Sequence, residues 1–172
     1  MKRLVVLSVG YGINTPHQIP ALPQARCFWY QWFLQTQQGQ LTLEHDRRGL
    51  CRFIWETWML TGKFDEQAFE EAAPAWDNPD WIAVTLHYYR HRWGNARGDP
   101  RYDALEKSRL LPPTITVPTR LLHGANDGCL LPETSEGKER FFTGGYDREV
   151  LPNVGHFPQR EQPSAVIEVI LT

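Results

Sequence analysis

The sequence has few cysteines and no long apolar run. Its three cysteines, Cys27, Cys51 and Cys129, are far apart and odd in number, so they indicate neither a disulfide framework nor a zinc site. No apolar run approaches the roughly 20 residues that a membrane-spanning helix needs. We therefore expect no metal, no cofactor and no membrane insertion, and a reducing, cytoplasmic location.

The sequence also lacks an excess of either charge. It has 18 basic and 20 acidic residues and a formal net charge of −2, so the basic face of a nucleic-acid-binding protein is not indicated. Its 172 residues are enough for one domain with a core. The hydrophobic fraction of 41% is ordinary for a soluble globular protein. Nucleic acid is therefore not an expected partner.

Aromatic residues are abundant. There are 7 Trp, 6 Tyr and 8 Phe, and many of them fall between residues 28 and 93. Such a concentration is explained either by a packed core or by the lining of an apolar ligand pocket. Composition alone favours the core, because a protein has few pockets.

The chain divides into three zones. Residues 1–23 contain a short apolar run that predicts a buried strand, followed by a loop rich in Gly and Pro over 9–23. Residues 24–111 carry helical patterns, over 24–36, 46–60, 65–73 and 80–93, and we call this zone the cap. It interrupts a strand pattern that resumes downstream.

Residues 112–172 alternate between strand and helix patterns. Strands are predicted over 117–123 and 148–151, and helices over 132–142 and 162–171. This alternation is typical of an α/β fold with a parallel sheet. Because ligands bind at the carboxyl ends of the strands in such sheets, the inserted cap is placed to form a lid over a site there.

Asp127 and His156 are the candidate catalytic residues. Each directly follows a predicted strand, Asp127 in an Asn-Asp-Gly sequence and His156 after Gly155. Taken singly, Asp127 is explained by turn chemistry and His156 by a surface loop. Together, after consecutive parallel strands, they form an acid and a base that can meet: the carboxylate accepts the imidazole N–H, and the imidazole activates a nucleophile or a water.

These motifs resemble the last two strand–loop units of the α/β-hydrolases. The matching segments are Val117-Pro118-Thr119, His123-Gly124-x-x-Asp127-x-x-x-x-Pro132 and Gly155-His156-Phe157 before Glu161-x-Pro163. Residues 3–8 resemble the strand that precedes the cap in that family. The resemblance covers essentially the whole chain and implies a partial α/β-hydrolase fold whose triad supplies Asp127 as acid and His156 as base.

The cap resembles that of epoxide hydrolases. Residues 28–35 are similar to its first helix, with Tyr30 at a lid-tyrosine position, and residues 87–90 are similar to a later segment, with Tyr89 at the second. The resemblance implies that both tyrosines bind and protonate the epoxide oxygen, as the developing alkoxide requires. Tyr88 is the alternative if the register differs by one, and packing within the cap is the alternative role.

One element of the family pattern is missing from the sequence. It has no Gly-x-Ser-x-Gly and no Gly-His-Asp-x-Gly motif, and Ser8 follows a strand without leading into a helix. We therefore expect the N-terminal half with the nucleophile to be absent, the chain to be inactive alone, and its open sheet edge to pair with that half or with a second copy.

Three functional interpretations remain open at this point. The first is an epoxide-hydrolase-like enzyme acting on a small apolar substrate. The second is an esterase or dehalogenase of the same fold, because serine and aspartate nucleophiles both use an Asp–His pair. The third is an inactive fragment that binds a ligand or a partner through its cap.

Overall fold

The three strands of the sheet run parallel and follow one another in chain order. They are β1 (Leu4–Leu7), β2 (Thr119–Gly124) and β3 (Tyr146–Leu151), with Leu4 opposite Thr119 and Thr119 opposite Tyr146. This computed structural model describes residues 2–12, 19–60, 62–108, 110 and 113–172. The parallel sheet with its helical insertion confirms the predicted partial α/β-hydrolase fold.

The middle strand is the most buried part of the sheet. β2 is buried at five of its six positions, whereas all four residues of β1 are only half-buried. β1 pairs with β2 along one edge, and no strand among the described residues pairs with its other edge. The apolar side chains of β1 therefore lie at an open edge of the sheet.

One face of the sheet is covered by the last helix of the chain. Leu122 and Leu151 pack there against Val166 and Val169 of helix Pro163–Leu171. Burial of each such aliphatic side chain contributes about 1.5–3 kcal/mol. This cluster fixes the two strands whose carboxyl ends carry Asp127 and His156.

Among the described residues, seven helices lie between Leu22 and Ser108 and build the cap. They are α1 (Leu22–Cys27), α2 (Trp29–Phe33), α3 (Gln37–His45), α4 (Arg47–Trp58), α5 (Glu66–Ala72), α6 (Trp81–Arg92) and α7 (Asp103–Ser108), with 3-10 turns at Ala73–Asp77 and Pro100–Tyr102. Side chains before three of them accept the free N–H of the first turn: Thr36 from Gly39, Asp46 from Gly49 and Asp65 from Ala68. The C-terminal helices are α8 (Pro158–Glu161) and α9 (Pro163–Leu171).

Two apolar clusters hold the cap together. Leu34, Leu43, Leu50 and Leu86 join α3, α4 and α6 to the end of α2. The second cluster is centred on Phe69, which is fully buried, and includes Cys51, Ala73 and Trp76. The cap therefore has its own core, and part of the aromatic content of the sequence belongs to it.

Two of the predicted helices differ from the observed ones. The pattern over 24–36 is divided into α1 and α2 by Phe28, and α3, which was not predicted, continues through Gly39. Glycine is required there, because an added Cβ would overlap the carbonyl oxygen of Phe33. The predicted helix over 132–142 is wrong: Pro132–Ser135 and Glu139–Phe141 are separate 3-10 turns, divided by Gly137 with a left-handed φ of 66°.

Parts of two predictions fall outside the described residues. The predicted loop over 9–23 includes residues 13–18, and the predicted boundary between the cap and the C-terminal zone falls at residues 111 and 112. The three-zone division therefore stays a prediction. Within the described ranges, none of the helices is long and apolar enough to cross a membrane.

Candidate active site

Asp127 lies in the loop that follows β2, which we call the acid loop (residues 125–131). Only 2% of Asp127 is exposed. Its Oδ1 accepts the backbone N–H groups of Cys129 at 2.7 Å and of Leu130 at 2.8 Å. These two bonds form the expected Asp turn, and they leave Oδ2 for another partner.

That partner is His156, in the loop that follows β3 (residues 152–157, the histidine loop). His156 Nδ1 lies 2.8 Å from Asp127 Oδ2. Because a carboxylate accepts, Nδ1 carries the proton, and Nε2 is the ring nitrogen left for chemistry. The structure therefore brings the two predicted residues into direct contact.

The pair shifts the pKa of both members. Burial raises the pKa of Asp127, but hydrogen bonds from His123 and His156 outweigh it and hold that pKa below its ordinary value. Burial also lowers the pKa of His156, but the neighbouring Asp127 and Cys129 more than reverse this and raise it to about 10. The Asp127 carboxylate therefore favours the protonated imidazole and stabilises the imidazolium that forms when Nε2 takes a proton.

His123 is a second histidine at Asp127 that the sequence analysis did not single out as functional. It is fully buried, with Nε2 at 2.7 Å from the carbonyl oxygen of Leu130 and 3.3 Å from Asp127 Oδ2. Since both neighbours only accept, Nε2 carries the proton. Nδ1 lies 2.9 Å from Ser135 Oγ, which accepts from Arg148 Nε at 2.8 Å. The sequence signal that could have identified His123 was its position at the end of a predicted strand, in the His-Gly-x-x-Asp motif.

Glu161 fixes the histidine loop through hydrogen bonds to its backbone. Its carboxylate accepts the backbone N–H groups of Gly155 at 2.7 Å and of Phe157 at 3.1 Å, which flank His156. It also accepts from the N–H of Leu60 in the cap at 3.4 Å. The side chain of Glu161 therefore positions the backbone that carries the imidazole.

The backbone of Trp58, at the end of α4, joins the two loops. Its carbonyl oxygen accepts from the N–H of His156 at 2.9 Å and from that of Gly128 at 3.4 Å. An added Cβ on Gly128 would overlap the carbonyl oxygen of Thr57, and one on Gly155 would lie 2.8 Å from the oxygen of Trp58. Both glycines are therefore needed for the cap to approach the loops this closely.

Tyr30 and Tyr89 pack against each other in the cap, and the ring of Trp58 lies between Tyr30 and His156, 5.5 Å from the first and 5.2 Å from the second. The ring centroids of the two tyrosines are 5.5 Å apart, with an edge-to-face angle of 86°. Tyr30 Oη accepts from Gln31 Nε2 at 2.8 Å and lies 3.8 Å from Cys129 Sγ in the acid loop. Burial raises the pKa of Tyr30, and it raises that of Tyr89 to about 12. Both hydroxyls are therefore protonated donors at neutral pH.

Tyr88, the alternative to Tyr89, lies on the outer face of α6. It is 54% exposed, whereas Tyr89 is half-buried and packs toward the leucine cluster of the cap. The structure therefore brings Tyr89, and not Tyr88, next to Tyr30.

A cavity of about 140 Å³ lies in the cap beside the tyrosines. Its wall consists of Tyr30, Leu34, Leu43, Leu50, Cys51, Ile54, Trp55, Trp58, Trp76, Trp81, Thr85 and Tyr89. An apolar cavity of roughly 150 Å³ in another protein holds one benzene molecule. The sequence left open whether the aromatic residues form a core or line a pocket. In the structure they do both, since they form the cap core and line a pocket the size of a single ring.

The nucleophile is not found at His156. Among the described residues, Asp127 is the one serine or aspartate whose side chain is hydrogen-bonded to the imidazole. Ser8 ends β1 with a φ of 55° and a buried hydroxyl that has no partner in the described part of the chain. The residues that follow it, as far as Gly12, are not helical.

The fold is similar to that of solved structures of larger proteins. A candidate epoxide hydrolase from Klebsiella pneumoniae subsp. pneumoniae is 35% identical and matches 99% of this chain with a TM-score of 0.85. The epoxide hydrolase CorEH is 18% identical with a TM-score of 0.71, and an inhibitor complex of a Bacillus megaterium epoxide hydrolase is 20% identical with a TM-score of 0.64, each over 99% of this chain.

The match covers only part of each of those proteins. This chain spans 57% of the Klebsiella protein, 58% of CorEH and 59% of the Bacillus megaterium enzyme. No protein-family model matches the sequence, and the comparison with curated proteins gave no match.

Proposed function

Because this chain is a partial α/β-hydrolase of the epoxide-hydrolase-like kind, we propose that it provides the cap and the acid–base pair of an enzyme that opens small apolar epoxides. The observation that carries the proposal is the contact of 2.8 Å between Asp127 and His156, and the paired tyrosines of the cap support it. The nucleophile is supplied by a part of the fold that is not in this chain.

His156 acts as the base through Nε2. Asp127 holds the proton on Nδ1 and stabilises the imidazolium that forms when Nε2 takes a proton. With an aspartate nucleophile, Nε2 takes its proton from a water that attacks the covalent ester. With a serine nucleophile, as in the esterase alternative, it takes the proton of the serine first. The esterase and dehalogenase readings therefore share this half of the site.

Tyr30 and Tyr89 favour the epoxide reading. Ring opening places negative charge on the epoxide oxygen, and two buried hydroxyls that keep their protons can donate to it. The Gln31 amide donates to Tyr30 Oη, and a phenol that accepts one hydrogen bond can still donate its own proton. An ester or halide substrate has no need of two phenols at this place.

The open edge of β1 is the proposed binding surface for the missing part. Leu4–Leu7 present half-buried apolar side chains and backbone groups that no described strand pairs. A parallel strand from the N-terminal half of the fold would complete the sheet there. A second copy of the chain is the alternative occupant, and light scattering after size-exclusion chromatography distinguishes a monomer from either assembly.

The experiment compares this chain alone with this chain co-expressed with the N-terminal half of the Klebsiella protein. Turnover of an aryl epoxide is expected only for the pair, and His156→Ala should reduce it by about 10²-fold or more. His45→Ala, which alters a histidine at the end of α3, is the matched control. Turnover by the chain alone that survives His156→Ala would refute the proposal.

A second comparison separates the reactions. In the active pair, Tyr30→Phe and Tyr89→Phe should each lower epoxide turnover by about 10²-fold, by analogy with the loss of one oxyanion donor, and leave aryl-ester turnover unchanged. Tyr88→Phe is the control, because its ring lies outside the cavity. Ester turnover that depends on the tyrosines, with no epoxide turnover, would favour the esterase. Ligand binding without turnover of either substrate would leave the chain as a binding module.

A further inference from the structure

The indole N–H of Trp58 is a buried donor without an acceptor. Among the described residues, its Nε1 has no hydrogen-bond partner, although the ring can only donate. Two other tryptophans of the cap are satisfied: Trp32 donates to the oxygen of Ala25 at 2.9 Å and Trp93 to Gln31 Oε1 at 3.0 Å. Buried polar groups are nearly always paired, so an unpaired one requires an explanation.

Trp58 lies at the centre of the candidate site. Its ring is 5.2 Å from the imidazole of His156 and 5.5 Å from the ring of Tyr30, and it forms part of the cavity wall. Its backbone is fixed, because its carbonyl oxygen accepts from the N–H groups of His156 and Gly128. The indole is therefore held between the base and a tyrosine.

We propose that Trp58 is a specificity-determining residue whose N–H binds a second oxygen of the substrate. The inference rests on the proposed function, in which the two tyrosines take the epoxide oxygen. The substrate class is then an epoxide that carries an ether or carbonyl oxygen close to the ring, together with an apolar group about the size of a phenyl ring, as the cavity requires.

The selectivity follows from the high free-energy cost of leaving a buried hydrogen-bond donor without an acceptor. A substrate with the second oxygen satisfies the indole N–H, whereas a hydrocarbon epoxide of the same shape leaves it buried and unpaired. Sites with a buried polar group strongly reject the analogue that lacks its partner, while apolar pockets discriminate weakly. Trp58 would therefore separate oxygenated from purely hydrocarbon epoxides.

The test uses the full chain and two inert probes. These are the diols formed by hydrolysis of phenyl glycidyl ether and of its carbon isostere, in which a methylene group replaces the ether oxygen. Indole N–H resonances of the 15N-labelled chain are followed by NMR during titration, and the Trp58 resonance is identified by its loss in Trp58→Phe. The ether diol should bind at least about fivefold more tightly and move the Trp58 proton downfield.

Variants separate the hydrogen bond from the space that the ring fills. Trp58→Phe should remove the preference for the ether diol, so that both probes bind equally. Trp55→Phe makes the same chemical change elsewhere in the cavity wall and should weaken both probes alike while the preference remains. The wild-type titration gives an answer even if a variant fails to fold.

Three outcomes overturn the inference. The two diols could bind wild-type chain with equal affinity, the Trp58 proton could stay unmoved while other cavity resonances shift, or the preference could persist in Trp58→Phe. Each of these leaves the proposed function standing, since a probe still binds in the cavity that the tyrosines line. Binding of neither probe would reject the cavity as the site of the inference, whereas the proposed function is decided separately by epoxide turnover of the assembled pair.

Discussion

The two loops that follow β2 and β3 and the wall of the cap cavity meet at His156, and they are built in opposite ways. In the loops, Asp127 accepts three hydrogen bonds, from two backbone groups and His156, with His123 Nε2 3.3 Å away, and Glu161 fixes the flanking backbone. In the cavity wall, most side chains are apolar and the Trp58 N–H has no partner among the described residues. The difference is that the sheet loops are preorganised by hydrogen bonds, whereas the cap wall is shaped by packing; in the proposed function the loops supply the acid–base pair and the cap supplies shape and donors for a ligand.

Asp127→Ala should have the largest effect on the loop side of this comparison. It leaves His156 and two backbone N–H groups without their acceptor. We expect a loss of about 3–5 kcal/mol in the free energy of unfolding, as for other broken buried pairs, measured by urea denaturation. Asp147→Ala is the control, because its contact with Arg120 is exposed and should contribute less than about 1 kcal/mol. Equal losses of unfolding free energy for the two variants would show that the buried contacts of Asp127 stabilise the protein no more than an exposed ion pair does.

Gly128→Ala tests how tightly the loops and the cap are joined. The added methyl group would overlap the carbonyl oxygen of Thr57, so the end of α4 must move away from the acid loop. A loss of about 1–3 kcal/mol is expected, as for other overpacked sites, together with a lower pKa of His156 in an NMR titration. Gly94→Ala is a control for added bulk, since an added Cβ there meets no atom, although its positive φ of 77° adds strain.

The pH dependence of stability sharpens the role of His156. Its pKa is raised to about 10 in the folded protein, against about 6.5 in the unfolded chain. Between these values the folded state binds the extra proton, so the stabilisation is fully present below about pH 6.5 and is lost as the pH rises through about 10. The slope is at most about 1.4 kcal/mol per pH unit.

The measurement is a series of urea unfolding curves between these pH values. His156→Gln should flatten the pH dependence relative to the parent chain, which corrects for other titrating groups. An unchanged slope in the variant would mean that other groups cause the pH dependence of the free energy of unfolding, and that Asp127 does not raise the pKa of His156.

Tyr30→Phe should have the smallest effect, which would confirm that the cavity wall serves ligands more than stability. The change removes the acceptor of one hydrogen bond from Gln31 and should cost about 0.5–1.5 kcal/mol. Tyr88→Phe, on the exposed side of α6, should be neutral within about 0.5 kcal/mol. A loss for Tyr30→Phe as large as that for Asp127→Ala would mean that the two regions share one structural role.

Asp127 and His156 could be predicted as a pair because local signals were enough. Each follows a strand pattern, and parallel strands end at the same edge of the sheet. The contacts of His123 could not be predicted, because they depend on a 3-10 turn that brings Ser135 back toward the strand end. The sequence pattern over 132–142 instead predicted a regular helix, because it does not show that Gly137 adopts a left-handed φ and divides the segment.

The cap was less predictable for a physical reason. Its helices are short and aromatic on several sides, so the sequence does not show which face is buried. Tyr88 and Tyr89 could be distinguished only by the packing of Tyr89 toward the leucine cluster. Trp58 was missed because an unpaired N–H is visible only when all its neighbours are known.

The carbonyl oxygen of Trp58 has a kinetic consequence. It belongs to the cap, yet it accepts the amide protons of His156 and Gly128 in the two sheet loops. Any motion that separates the end of α4 from the loops must break both hydrogen bonds and expose both amide groups to solvent together. When the contact forms again, both amides are protected again. Deuterium uptake at these two amides is therefore expected to follow a single opening event of the contact between the cap and the loops.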